Sequence, residues 1–400
     1  MRQKLLILIA DGMGDYPLPE LEGRTPLETA ETPNMDRLAG QGLIGRCRTI
    51  PEGMPPGSDI ANMGLLGFDP LVYHTGRGPI EAAAQGLDLS ATDIVYRLNL
   101  CTVSEFSQDG VMLDYCAGHV KTETASRLVE RLQERLEDGI FRFITGLQYR
   151  HLLIQKDGAD TLEAGLEITP PHDLLNQSLA ADIATYKRSP GLSRLVFEAA
   201  GILGESDNPS RANAIWPWGQ GRALQLPSFR SLFQRSGGVV SAVDLVKGLG
   251  RAARLEVPDI PGATGLLDTD YEAKVQATLD ILERCDFVYV HLEGPDECSH
   301  AGDIRSKIEA IERFDRLIVG ALLHSMESLG AASLIACDHL TPISERTHTR
   351  DPVPFLFYNP QRKEAGPGRF SERSAAESDL WLESGQELLP WIERRLEAAP

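Results

Sequence analysis

No two cysteines in the chain are spaced Cys-x-x-Cys; the six present, at 47, 101, 116, 285, 298 and 337, are scattered. That pattern excludes zinc ribbons and thioredoxin-like redox motifs, and sparse cysteine suits a reducing compartment. No Gly-Lys dipeptide occurs, so a Walker-A phosphate loop is absent. Gly12-Met13-Gly14 lacks the third glycine of a dinucleotide fingerprint, with Pro17 standing in its place. No Gly-x-Ser-x-Gly elbow surrounds Ser58, which argues against a serine hydrolase triad. The first apolar run, Leu5 to Ala10, is too short for a signal-peptide core or a membrane span. Basic residues are outnumbered, 39 Lys+Arg against 58 Asp+Glu, for a net charge of −19. Such a surface repels phosphate backbones and anionic lipid, so neither nucleic acid nor membrane is expected as a partner. A cytoplasmic protein is expected.

What the chain does contain is an ordinary globular composition, 42% hydrophobic and 24% charged, over a length that usually divides into two domains. Its apolar runs end repeatedly in acidic residues. Leu5–Ala10 meets Asp11-Gly12, Val239–Val243 meets Asp244, Phe287–Leu292 leads to Glu293-Gly294-Pro295-Asp296, and Ala332–Ala336 leads to Cys337-Asp338-His339. Pro354–Tyr358 closes the set. Continuous apolar runs suit strands buried on both faces, and helical patterns at Tyr271–Arg284 and Ile304–Leu329 lie between them. This is the grammar of an α/β fold with a doubly wound, mostly parallel sheet, in which ligands gather at the carboxyl ends of strands. The middle differs. Shorter alternating stretches (Ile94–Leu100, His151–Gln155), a helix at Thr122–Glu137 and loop-like tracts, including Trp216-Pro217-Trp218-Gly219, predict an inserted, smaller α+β domain. The expected division is 1–77 and 226–400 for the core and 78–225 for the insertion.

Four segments place Asp, His or Ser after strands or in Gly/Pro-rich turns: Asp11-Gly12-Met13-Gly14-Asp15, Pro56-Gly57-Ser58-Asp59, Asp296-Glu297-Cys298-Ser299-His300, and Asp338-His339 followed by Thr347-His348-Thr349. Any one of them reads equally well as a cap or a turn. Together they fall where a parallel sheet would gather them on one edge. Carboxylates and imidazoles suit divalent ions, and Asp296 and His300 are one helical turn apart. Two metal sites drawing on Asp11, Asp296, Asp338, His300, His339 and His348 are therefore expected. A serine hydroxyl such as Ser58 needs a base or a metal to become a nucleophile.

In order along the chain, Asp11-Gly12, Thr32-Pro33-Asn34-Met35-Asp36, Pro56-Gly57-Ser58-Asp59, Thr75-Gly76-Arg77-Gly78-Pro79, Tyr149-Arg150-His151, Pro170-Pro171-His172-Asp173 and Asp338-His339-x-Thr341-Pro342 resemble the archaeal-type, cofactor-independent phosphoglycerate mutases of the alkaline phosphatase superfamily. The resemblance implies an alkaline phosphatase-like core and a phosphoserine intermediate at Ser58. It implies one ion held by Asp11, Ser58, Asp338 and His339, and another held by Asp296, His300 and His348. The ions would be manganese or magnesium, with zinc or cobalt as alternatives, and no 2,3-bisphosphoglycerate would be needed. The implied partner is a small phosphorylated metabolite; the chain is either a monomer or a homo-oligomer. Arg77, Arg97, Arg150 and Lys247 are candidates for holding substrate anions, because a guanidinium suits phosphate and carboxylate. His151 and His172 are either substrate contacts or structural histidines.

The chain departs from the mutase pattern where Asp-x-Arg-Ala-Gly-Arg is expected and Asp114-Tyr115-Cys116-Ala117-Gly118-His119 stands. Two fixed positive groups are missing. The chain also resembles a bacterial branch of the family proposed to act as a homoserine kinase, whose zwitterionic acceptor needs fewer arginines. A metal-dependent phosphomonoesterase and a metal-binding scaffold are the remaining readings.

Overall fold

A computed structural model describes residues 2–397. In chain order the strands are β1 (Leu5–Ala10), β2 (Leu43–Cys47), β3 (Ile94–Val103), β4 (Met112–Asp114), β5 (Phe141–Ile144) and β6 (Arg150–Gln155). They continue as β7 (Ala214–Arg222), β8 (Gly237–Val240), β9 (Phe287–Leu292), β10 (Ala332–Ala336), β11 (Val353–Tyr358) and β12 (Trp381–Leu382). The chain divides into two compact units, Met1–His74 with Leu226–Pro400, and Thr75–Gln225. The first boundary thus falls three residues earlier than the sequence placed it.

The discontinuous unit holds a seven-stranded sheet in the order β12-β2-β11-β10-β1-β9-β8. β10, β1, β9 and β8 run parallel to one another. Every residue of β1, β9, β10 and β11 is buried, as continuous apolar runs require of strands covered on both faces. The sheet is mixed, because β11 is antiparallel to both β10 and β2. The cause lies in residues 337–352, which form a long loop with no crossover helix, so the chain returns in the opposite direction. That loop carries Asp338, His339 and His348. Two further local expectations are corrected. The run Val239–Val243 is strand only to Val240, after which the Ser241 hydroxyl accepts the Val243 N–H and turns the chain into the helix Asp244–Ala252. The pattern Ile304–Leu329 is interrupted by a π-helical turn at Phe314–Val319, where Asp315 reaches out to accept the N–H groups of Asn34 and Met35.

The continuous unit is an antiparallel five-stranded sheet, β4-β3-β6-β5 with β7 added to β3. The helices Thr122–Leu136 and Pro190–Leu203 pack on it and bury their apolar stripes in one core with Leu98, Leu100 and Trp216. The tract around Trp216 is therefore strand β7, not loop. Pro217 is tolerated there because β7 is an edge strand and needs no N–H at that position. Among the described residues no helix is long and apolar enough to cross a membrane. All six cysteines are free, and all but Cys285 are buried.

Candidate metal centre and nucleophile

The parallel strands β10, β1 and β9 end on one edge, and their following loops deliver Asp338, Asp11 and the helix Gly294–Ala301 to it. Asp11, Asp338 and His339 each offer one donor within 4.8 Å of the others, and Asp296, His300 and His348 do the same. His339 Nε2 lies 3.4 Å from Asp11 Oδ1 and 3.6 Å from Asp338 Oδ2. Asp338 is fixed by the backbone N–H groups of Gly12 (3.2 Å) and His339 (2.9 Å), which donate to its Oδ1. In the second cluster His300 Nε2 is 3.2 Å from Asp296 Oδ2, as one helical turn dictates, and 3.0 Å from His348 Nε2. His300 Nδ1 donates to the Arg346 carbonyl (2.9 Å), which turns Nε2 toward Asp296 and His348. The His339 and His348 rings stack at 4.0 Å, so the two clusters adjoin.

The electrostatics of the centre call for cations. Burial, with Asp338 and Asp296 close by, raises the Asp11 carboxyl well above its usual range. Burial also pushes Asp296 upward, but hydrogen bonds from His300 and His348 outweigh it and hold the group well below the ordinary value. The same Asp296 raises His300 to about 9. Burial keeps His339 neutral by lowering its pKa. Asp11 Oδ1 is buried with no hydrogen-bond partner. Three buried carboxylates and three imidazoles that converge without enough hydrogen-bond donors fit divalent ions bound through oxygen and nitrogen.

Ser58 opens the helix Ser58–Leu65, with Gly57 before it in extended conformation. Its Oγ is 3.1 Å from His339 Nε2, which places the hydroxyl beside the first cluster. The leading N–H groups of a helix have no intrahelical partners and favour an anion at that end. One turn on, the Asn62 side chain donates to the Ser58 carbonyl and to Asp338 Oδ2, both at 2.8 Å, and accepts from the Tyr289 hydroxyl at 2.5 Å. Sequence reasoning gave Asn62 no role, although its spacing from Ser58 repeats the one read at Asp296 and His300. It also missed His291, whose Nε2 lies 3.2 Å from Asp11 Oδ2, and the buried Lys307. The Lys307 ammonium donates to Asp15 (2.7 Å) and to the Thr341 carbonyl (2.9 Å), and so ties the loops after β1 and β10 together.

In the continuous unit, Arg97 on β3 pairs with Glu81 at 3.0 Å and lies over Trp218 at 4.5 Å. Burial lowers the Arg97 pKa, and the charges of Arg77 and Arg150, each near Arg97, lower it further. His172 packs edge-on against Trp218, 5.5 Å between ring centres, and burial lowers its pKa too. His151 is placed differently: it is buried, and its Nδ1 accepts the Gly146 N–H at 2.9 Å, a structural task in the β5–β6 turn. Lys247 belongs to the discontinuous unit, on the helix Asp244–Ala252 that packs against the Ser58 helix. The 114–119 segment forms a tight turn whose Tyr115 and His119 rings both meet Tyr149 edge-on.

Residues 39–207 match the family model described as 2,3-bisphosphoglycerate-independent phosphoglycerate mutase. A protein of that name from Methanosarcina barkeri is 42% identical, over 96% of this chain and 98% of its own. A probable one from Geobacter sulfurreducens is 40% identical over the same shares. Among solved structures, a protein from Pyrococcus horikoshii superposes with a TM-score of 0.81 at 30% identity, covering 100% of this chain and 99% of its own. The cofactor-independent phosphoglycerate mutase from Thermoplasma acidophilum superposes with a TM-score of 0.64 at 26% identity, covering 99% and 100%. With identity of this order along nearly the whole length of both partners, the chain belongs to the 2,3-bisphosphoglycerate-independent phosphoglycerate mutase family.

Proposed function

We propose that this chain interconverts 3-phosphoglycerate and 2-phosphoglycerate without 2,3-bisphosphoglycerate, with Ser58 carrying the phosphoryl group between the two positions. Asp11, Ser58, Asp338 and His339 would hold one divalent cation, and Asp296, His300 and His348 the other, manganese or magnesium being the expected ions. The observation that carries the reading is the Ser58 hydroxyl, 3.1 Å from His339 and at a helix start beside two adjoining donor clusters. Bound divalent ions would lower the serine pKa and neutralise the transferring group. Ser58 Oγ gives up its proton and forms the new bond to phosphorus as the ester bond to the substrate oxygen breaks, and that oxygen takes up a proton. The other glycerate hydroxyl then loses its proton and bonds to phosphorus as the Ser58 ester breaks, and Ser58 Oγ regains a proton. The helix N–H groups face the phosphoserine, and Asn62 holds Ser58 in register with Asp338. Arg97, with Arg77 and Arg150 each near it and Glu81 paired to it, supports a polyanionic substrate.

One observation favours a second reading, phosphoryl transfer to homoserine: the 114–119 turn carries Cys116 and His119 where two arginines are expected, and the His119 ring packs on Tyr149. Purified chain supplied with 3-phosphoglycerate, and separately with ATP and homoserine, separates the two. Turnover of the glycerate alone is expected; product from homoserine alone would replace the first reading with the second. Ser58→Ala should lower turnover by roughly a thousandfold or more, while Asp296, His300 and His348 still take up their ion. Retained turnover would remove the covalent step.

A further inference from the structure

Thr341 touches both donor clusters. Its hydroxyl donates to Asp296 Oδ1 at 2.6 Å and lies 3.1 Å from His339 Nδ1, and the residue is wholly buried. A threonine hydroxyl has one proton and two lone pairs, and an ionised carboxylate can only accept. The single proton is therefore spent on Asp296, and the contact with His339 is made only if Nδ1 carries a hydrogen and donates it. That assigns the tautomer. Nε2 is left bare, and Nε2 is the atom that faces Ser58, Asp11 and Asp338. The hydroxyl cannot drift from this place. The Thr341 N–H donates to the Gly14 carbonyl at 3.2 Å, and Lys307 holds the Thr341 carbonyl. Gly12 leaves room for it, since a Cβ there would stand 2.6 Å from Thr341 Oγ1.

We infer that Thr341 is a positioning residue that locks His339 in its Nδ1–H tautomer and joins the two clusters, so that both depend on one hydroxyl. The inference rests on the reading of the clusters as metal sites. Hydrogen bonds to the far atom of a ligating imidazole are worth about 10–100-fold in metal affinity. Here one group serves a histidine of one site and an aspartate of the other, so its loss reaches both.

Two measurements on the full chain test this. In ¹⁵N NMR of the metal-free protein, with the His339 signals assigned against His339→Asn, the ring should carry its proton on Nδ1. In manganese titration calorimetry, Thr341→Val, equal in size but without the hydroxyl, should weaken uptake at both sites by about 10–100-fold. Thr341→Ser should stay within a few-fold of the parent. An Nε2–H ring in the parent overturns the inference even where Thr341→Val does not fold. So does a folded Thr341→Val chain that takes up two ions with parental affinity, or one that weakens at a single site. A parent that binds no manganese would instead overturn the metal reading, and this inference with it.

Discussion

Arg150 and His151 are neighbours at the start of β6, yet one is exposed and the other is buried. Sequence alone set them side by side as substrate candidates, because the residue types are right and nothing in their order tells which faces inward. Burial lowers the His151 pKa to about 4, and its Nδ1 must stay unprotonated to accept from Gly146. The unfolded chain takes a proton at this side chain near the ordinary histidine pKa of about 6.5. Between those two values the unfolded state binds the proton and the folded state does not, so stability falls as pH drops from about 6.5 towards 4. With each pKa unit worth about 1.4 kcal/mol, the loss amounts to a few kcal/mol. His151→Asn keeps an acceptor for Gly146 but cannot titrate, so denaturant unfolding at stepped pH should show a flatter profile for it. A variant curve as steep as the parent's would remove the imidazole from the account. The aspartates and histidines of the two clusters were legible because their chemistry is rare and falls after apolar runs. The roles of Asn62 and Thr341 were not, although Thr341 stands in the motif after Asp338-His339, because an amide and a hydroxyl are common everywhere and take on a role only from what folding puts against them.

At the scale of elements, β1, β9, β10 and Tyr271–Arg284 coincide with their sequence limits, since continuous burial and helical spacing leave little choice. The direction of β11 and the strand at Trp216 were hidden. Both depend on pairing partners distant in the chain, and an apolar run carries no sign of which way it runs. The turn from β1 into its loop shows how tightly the elements close around the centre. Gly12 adopts φ +61°, a left-handed conformation that costs other residues about 1–2 kcal/mol. A Cβ there would meet Asp296 Oδ1 and Thr341 Oγ1, each at 2.6 Å, and the Asp296 backbone at 2.8 Å. Gly12→Ala therefore adds strain and a clash that side-chain rotation alone cannot relieve. It should lower stability by at least about 1 kcal/mol and reduce manganese uptake by the Asp296 cluster, as read by chemical denaturation and by titration calorimetry. Unchanged uptake would mean that the loop after β1 can retreat from Asp296 without consequence.

For the molecule as a whole, the two units differ in how the chain builds them. The discontinuous unit needs both of its segments, because β1 from the first lies between β10 and β9 from the second. The buried Arg235 also holds Glu393, Asp286 and the Gln3 carbonyl, while Arg2 reaches the same Glu393. The unit Thr75–Gln225 is one continuous stretch with its own antiparallel sheet and a core filled from its own helices. All donors of both clusters belong to the discontinuous unit. A ligand that binds only the folded state stabilises it by about 2.7 kcal/mol at a hundred times its dissociation constant. Removing divalent ions with a chelator should therefore lower the melting temperature of the discontinuous unit and leave the other unmoved. Calorimetry of the full chain should resolve two transitions, only one of them sensitive to chelator and to added manganese. Thr75–Gln225 expressed alone should unfold cooperatively, at the temperature of the insensitive transition. A fragment without a cooperative transition would show that its core is completed from elsewhere in the chain. A single transition of the full chain that moves as a whole with manganese would show that the two units unfold as one.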